Sequence, residues 1–181
     1  MDSLKGNFLI SGSTLKEENF NETVVFIIEH NDEGAFGLIV NRKLDGGLPD
    51  VLPRLGEKSA KKPLYEGGPV RKEVLFVLFH NAECEADDGE EVIPGVFLGN
   101  SYELIEGLLE KDIPFHVYSG YAGWAPGQLE SELEAKTWVV MPAKQEIIFH
   151  ENPQYVWREA LLYGGGIYSY FARHIKDPFL N

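Results

Sequence analysis

The chain has 181 residues, 44% hydrophobic and 12% aromatic, with 29 acids against 16 lysines and arginines and a formal net charge of −13. This length sets one domain, residues 1–181, as the expectation, and it supplies a core without help from disulfides or a structural metal. The acidity opposes nucleic-acid binding, which depends on cations placed on phosphates, and the single cysteine, Cys84, excludes an internal disulfide, which fits a reducing compartment.

Residues 8–10 form an apolar run too short for a signal-peptide core. No stretch nears the roughly 18 apolar residues of a membrane span, so a cytoplasmic protein with no membrane partner is expected. Residues 24–30 (VVFIIEH) and 35–41 (AFGLIVN) are mostly apolar, β-branched runs separated by Asn31-Asp32-Glu33-Gly34, which predicts a hairpin. Neither run alternates cleanly, so both strands are expected to be buried on two faces. Gly37 within the second predicts a bulge or a close backbone approach. Residues 43–63 are looser; Val51, Leu52 and Leu55 allow a short helix there. A loose basic cluster of Arg54, Lys58, Lys61 and Lys62 lies in this stretch without interleaved aromatics. Leu64-Tyr65-Glu66 leads into Gly67-Gly68-Pro69-Val70, and residues 74–80 (VLFVLFH) carry the strongest strand pattern of the chain.

Residues 83–91 hold six acids and no base, the pattern of an exposed loop. Their charge disfavours the thiolate of Cys84 and makes it a poor nucleophile. Residues 92–98 predict a further strand. Ser101 caps a helix over 102–111 whose apolar stripe is Leu104, Ile105, Leu108 and Leu109, and Pro114 prevents its continuation. Residues 115–118 predict a strand that ends in glycines. Pro126 then opens a helix to about residue 135, with Leu129 and Leu133 one turn apart. Residues 138–141 and 146–149 predict two short strands. Asn152-Pro153 starts the last helix and Gly164-Gly165-Gly166 stops it; Tyr168, Tyr170 and Phe171 predict a packed tail. Strands outnumber helices and βαβ alternation is missing. The expected class is α+β, a mixed, largely antiparallel sheet partly closed into a small barrel with about three flanking helices.

No catalytic constellation is assembled along the chain. Val117 stands where a nucleophile elbow around Ser119 would need its first glycine, and no Gly-x4-Gly-Lys-Ser/Thr run is present. The triple glycine follows a helix, as a helix stop does, rather than a strand. The histidines 30, 80, 116, 150 and 174 form neither His-x-His nor His-x3-His, and a closed zinc site needs four ligands; no metal and no cofactor is expected. His30, His80 and His150 each end an apolar run, as strand-end residues bonded to backbone do. Two segments carry more information. Gly67-Gly68-Pro69-Val70 is either a tight turn into a sheet or a turn whose bare amides cradle an anion. Residues 120–130 (GYAGWAPGQLE) place Tyr121 and Trp124 before a helix start, where they either close the core or anchor a ligand or partner.

These segments resemble the YqgE/AlgH family of bacterial proteins. The matching text is Gly6-Asn-Phe-Leu-Ile-Ser, Glu29-His30-Asn31 with 34–42 (GAFGLIVNR), Gly67-Gly68-Pro69-Val70, Gly120-Tyr121-Ala122-Gly123-Trp124 and Gly127-Gln128-Leu129-Glu130-x-Glu132. The resemblance runs from residue 6 to about residue 165, and its specificity comes from several motifs in order. One departure is Ser13 after Gly12, where the family often has proline. The resemblance implies an α+β fold with a bifurcated sheet partly closed into a small barrel. It implies no catalytic residues, because none are established for the family, and a transcriptional-regulator label is attached to some members.

Three functions are set against one another. The first is a non-enzymatic interaction or regulatory protein with a protein partner, its patch built from Gly67, Gly68, Pro69, Tyr121, Trp124, Gln128 and Glu130. The alternative is a small-ligand-binding protein or enzyme. There His30 would be the acid/base, a role open to histidine because it titrates near neutrality. Asn41 and Gln128 would orient the substrate, and the Gly67-Gly68 amides would hold an anion. Direct DNA binding is the third, and the net charge argues against it. The first is the reading carried forward.

Overall fold

The computed structural model describes residues 2–11, 22–80, 89–166 and 172. Cys84 with most of its acidic segment, and the tail aromatics Tyr168, Tyr170 and Phe171, lie outside those residues. The strands are β1 (Asn7–Ser11), β2 (Val24–Asn31), β3 (Gly34–Ile39), β4 (Lys43–Gly47), β5 (Pro63–Glu66), β6 (Val70–His80), β7 (Glu90–Ile93), β8 (Val96–Gly99), β9 (Phe115–Trp124) and β10 (Trp138–Pro142). The helices are α1 (Leu48–Val51), α2 (Tyr102–Glu110), α3 (Gln128–Glu134), α4 (Gln145–Ile148) and α5 (Pro153–Tyr163), with a 3-10 segment at Pro53–Ser59. The strand order is β10-β1-β2-β3-β9-β6-β8-β7, with β5 on β9 and β4 on β5. Every pairing among the described residues is antiparallel except β5 on β9. The sheet curls into a half-barrel, which is the α+β architecture expected from the sequence. Three helices have seven residues or more, and α1 and α4 are single turns.

The β2–β3 hairpin forms where predicted. Asn31 pairs with Gly34 around a two-residue turn, and the Asn31 side chain accepts from the Glu33 amide at 2.8 Å. Both faces of these strands are covered. Phe8, Ile10, Val24, Phe26 and Leu38 face α5, whose Val156, Trp157 and Leu161 pack on them. Leu9, Val25, Ile27 and Ile39 face the other way, towards Leu129 of α3. A strand covered on both sides needs apolar residues at consecutive positions, which explains the missing alternation. A third cluster joins β6 and β9 to Ile105 and Leu108 of α2. The register of β2 against β3 slips between Ile27 and Glu29, opposite Gly37, where an added Cβ would stand 2.8 Å from the Phe26 carbonyl.

Four expectations are corrected. Residues 92–98 are not one strand: β7 and β8 are the two arms of a hairpin that turns at Pro94-Gly95, because proline presets the first turn position and glycine suits the next. Residues 146–149 are not a strand but include the helical turn α4, with Ile147 and Ile148 both buried; a two-residue β-branched pattern is too short to separate the two states. The loose stretch 43–63 contains β4 at its start and leads into β5 at its end. The strand predicted to stop at 118 runs on through the glycines to Trp124.

That last difference organises the sheet. The first half of β9 pairs with β6 and with β5, and the second half with β3. Between them Gly120 adopts a φ of 71°, and Gly67 and Gly68 cross its backbone. A Cβ at Gly67 would stand 2.2 Å from the Gly120 carbonyl oxygen, and one at Gly68 would stand 2.1 Å from the Tyr121 carbonyl carbon. Neither neighbour can give way, because both are backbone. Gly67→Ala or Gly68→Ala is expected to cost at least ~3 kcal/mol in urea unfolding. Gly127→Ala is the control. Its φ is 75° with open space around it, so only the dihedral penalty of about 1 kcal/mol applies.

His116 lies in an aromatic cluster on β9. It stacks on Tyr65 with ring centroids 4.5 Å apart and lies 5.4 Å from the Phe149 ring. Burial pushes its imidazole down to about 4, against a smaller opposing effect of a hydrogen bond to the Ile148 carbonyl. The unfolded chain therefore binds more protons than the native one between pH 6.5 and about 4, and stability falls as pH falls through that window. Wild type minus His116→Phe is expected to lose about 3 kcal/mol between pH 7 and pH 4, measured by unfolding at each pH.

Candidate functional site

The predicted patch residues divide into two places and a third point apart. At the β2–β3 turn, the end of β9 and the start of α3, the structure brings together His30, Trp124, Gln128 and Glu130. Gly67, Gly68, Pro69 and Tyr121 sit at the backbone crossing. Asn41 lies at the far end of β3.

His30 is 8% exposed. The Leu4 amide donates to its Nδ1 at 3.1 Å, and its Nε2 lies 3.0 Å from Glu130 Oε1. A ring nitrogen that accepts from an amide carries no proton, so Nε2 holds it and donates to Glu130. The Ser3 hydroxyl donates to the His30 carbonyl at 2.9 Å, which ties the N-terminal segment to the same strand end. Glu130 has its carboxyl held below the usual range first by its own backbone amide and then by His30. His30 is thus clamped between the N-terminal segment and α3. A long-range proton–nitrogen correlation spectrum of the neutral ring is expected to show a bare Nδ1 and a protonated Nε2.

Trp124 is 7% exposed and its indole N–H donates to Glu132 Oε2 at 2.8 Å. Trp138 donates to the same oxygen at 2.7 Å, and the two indoles meet edge to face at 6.2 Å. The Gln128 amide donates to Glu132 Oε1 at 2.9 Å, while the Ala125 N–H donates to Gln128 Oε1 at 3.1 Å. Glu132 is therefore the hub that holds α3, β9 and β10 together. It stood in the motif read from the sequence but not among the predicted site residues. The spacing of Gln128 and Glu132 carried a signal, since positions four apart share a helix face; the contributions of Trp124, which ends β9, and of Trp138 come from outside the helix and left none. Glu132→Ala strands two indole donors and is expected to cost about 2–4 kcal/mol in thermal or urea unfolding.

Tyr121 is half-buried against Phe36 and Phe76, with ring centroids 5.2 and 6.1 Å away. The Gly67 amide donates to the Ser119 carbonyl at 2.9 Å, and its carbonyl accepts from Ile39 at 2.8 Å. His30 faces Ala35, which faces Trp124, whereas Gly68 lies against Tyr121. His30 and Gly68 are thus separated by three residues along β9 and two strands across, about 10 Å in each direction. Asn41 accepts from the Val24 amide at 2.9 Å and donates to the Glu22 carbonyl at 2.8 Å. Among the described residues, no three His, Cys, Asp or Glu side chains are grouped to hold a metal ion, and no helix is long and apolar enough to cross a membrane.

Cavities open among the described residues at this end and at the far end of β3. One of about 170 Å³ at the β2–β3 turn is lined by Glu29, Asn31, Glu33, Phe36 and Trp124 together with Gly34 and Ala35. The other, about 620 Å³, lies between the β3–β4 corner and the start of α5. The AlgH-like family model matches residues 8–169. The chain belongs to the AlgH-like family. A UPF0301 protein of Hahella chejuensis is 39% identical over 153 residues, covering 82% of each chain. One of Chlorobaculum parvum is 33% identical over 180 residues, covering 97% of this chain and 95% of that one. The solution structure of the AlgH protein from Pseudomonas aeruginosa is similar at a TM-score of 0.76 and 29% identity, covering 97% of this chain and 96% of that one. A Corynebacterium diphtheriae crystal structure shares the fold at a TM-score of 0.81 and 22% identity, over 95% and 92% of the two chains.

Proposed function

We propose that this AlgH-like protein is a non-enzymatic interaction or regulatory protein of the bacterial cytoplasm, which meets a protein partner at the β2–β3 turn and the β9–α3 junction. One observation carries the reading: the polar groups that resemble chemistry are committed to the fold. His30 is held between Leu4 and Glu130, Glu132 serves two indoles and an amide, Asn41 pins two backbone groups, and the Gly67 amide is bonded to Ser119. What this end of the molecule turns outward is Glu29, Asn31, Glu33 and the exposed residues 125–128, beside half-buried Phe36 and Tyr121. Half-buried aromatics within a polar rim resemble the composition of protein interfaces. A net charge of −13 favours a basic partner and repels a phosphate backbone.

Co-purification from the native host, quantified by mass spectrometry, tests this. Glu29→Lys/Glu33→Lys with Gln128→Ala is expected to reduce partner recovery at least tenfold. A charge reversal on α2, Glu103→Lys/Glu106→Lys, should leave recovery as in wild type. Equal recovery by both variants would remove this surface from consideration. In a low-salt gel shift duplex DNA is expected to run free; retardation that survives high salt would overturn the protein-partner reading.

A further inference from the structure

The segment before β1 does more than lead into it. At Ser3 and Leu4 it meets the end of β2, where the Ser3 hydroxyl donates to the His30 carbonyl and the Leu4 amide donates to His30 Nδ1. At Lys5 it pairs with Glu90 of β7. The Gly6 backbone runs so close to β7 that an added Cβ would stand 2.8 Å from Ile93 Cγ2. β1 and β7 lie towards opposite ends of the strand order, so residues 3–6 join the two ends of the curled sheet as a strap. The Leu4 side chain packs on the apolar cluster that holds Leu9, Ile27, Trp124 and Leu129. Gly6, with a φ of 78°, donates to the Ile27 carbonyl at 2.9 Å and accepts from the Ala143 amide at 3.0 Å. It is the fixed point about which residues 3–5 could swing.

His30 is the point of this strap that a proton changes near neutrality. Nδ1 accepts from the Leu4 amide only while it is bare, and a second proton turns that acceptor into a donor facing a donor. On the other side of the ring, Nε2 keeps its bond to Glu130 Oε1 at 3.0 Å, and such a bond strengthens when the ring is charged. The ring therefore stays on α3, and the strap is the part that must move. The charges around the ring agree with this. Glu130 is the carboxylate on α3, and the N-terminal ammonium acts on that carboxyl more weakly than His30 does. The strap itself brings exposed Asp2 and Lys5, the latter held by Glu90 of β7. Glu29 precedes His30 on β2 but points to the other face, where it accepts from Asn31; Glu33 lies in the exposed turn. β3 and β9 meet this place through Ala35 and Trp124, which carry no charge.

We propose that residues 3–5 are an acid-released strap: the neutral His30 ring holds them closed across the half-barrel, and the doubly protonated ring lets them go, so that Leu4 leaves its apolar cluster. This device stands whether or not the nearby surface meets a protein partner.

The experiment is a nuclear magnetic resonance titration of the intact protein from about pH 8 to about pH 5, the range in which histidine ordinarily changes charge. It follows the His30 ring and the backbone amides of residues 3–6. The Leu4 and Lys5 amides are expected to move to the positions of an unstructured chain, with the same midpoint as the His30 ring. The Phe26 and Leu38 amides inside the sheet should stay where they are, which shows that the fold persists. His30→Asn puts a non-titrating acceptor oxygen near the place of Nδ1, and its strap should stay closed at both ends of the range. Glu130→Gln removes the charge that favours the imidazolium, so the midpoint of release should fall by about one pH unit. Four results would overturn the proposal. The ring titrates while the Leu4 and Lys5 amides keep their positions. The ring remains neutral down to pH 5. The strap of His30→Asn opens in acid as the wild type does, which assigns the change to another group. The midpoint of release is the same in Glu130→Gln as in wild type.

Discussion

β9 belongs to two parts of the sheet at once, and it does so because no side chain stands at residues 67, 68 and 120. The backbone of Gly67-Gly68 crosses that of Gly120-Tyr121 at a separation where a single Cβ would stand little more than 2 Å from a main-chain atom. This approach lets β9 leave β5 and β6 and continue along β3. The two lobes of the half-barrel are joined through that strand. The packing of α3 follows from where its far end, Trp124, is delivered.

Trp124 is delivered onto α3, and there a carboxylate does work that a hydrophobic contact alone would not. Glu132 accepts from Trp124 and Trp138, so a seven-residue helix is fastened to two strands from its own surface. A helix of that length has little stability in isolation and depends on such tertiary ties. His30 and Glu130 make a second tie at the other side of the same helix and also hold the N-terminal segment. Residue types associated with catalysis thus act here as fasteners. The patch proposed for a partner is built on their rigidity rather than on their reactivity.

Local chemistry was legible and non-local chemistry was not. The β2–β3 hairpin, the Ser101 cap of α2 and the Asn152 cap of α5 are written in neighbouring residues, and the structure has all three. Residues 92–98 misled because an apolar run hides a two-residue turn when the turn is Pro-Gly between β-branched neighbours. Residues 146–149 misled because two adjacent isoleucines fit a buried turn of helix as well as a strand. In 120–124 the glycines suggested a loop, although their purpose is to let one strand change partners. β1 went unrecognised as a strand, since its five residues only make sense once β2 and β10 flank them.

Of the candidate site, residue types and approximate positions could be read in advance, but not their state. Composition determined the acidity, and ordered motifs determined the family and the fold class, because both are properties of the chain itself. Only the tertiary structure decided that the His30 ring is sandwiched between an amide and a carboxylate, and that the Gly67 amide is used by Ser119. Whether these polar groups are spent or available depends on partners tens of residues away, 100 in the case of His30 and Glu130. For such non-local pairs hydrogen-bond satisfaction is settled by folding in three dimensions, and no spacing along the chain encodes it.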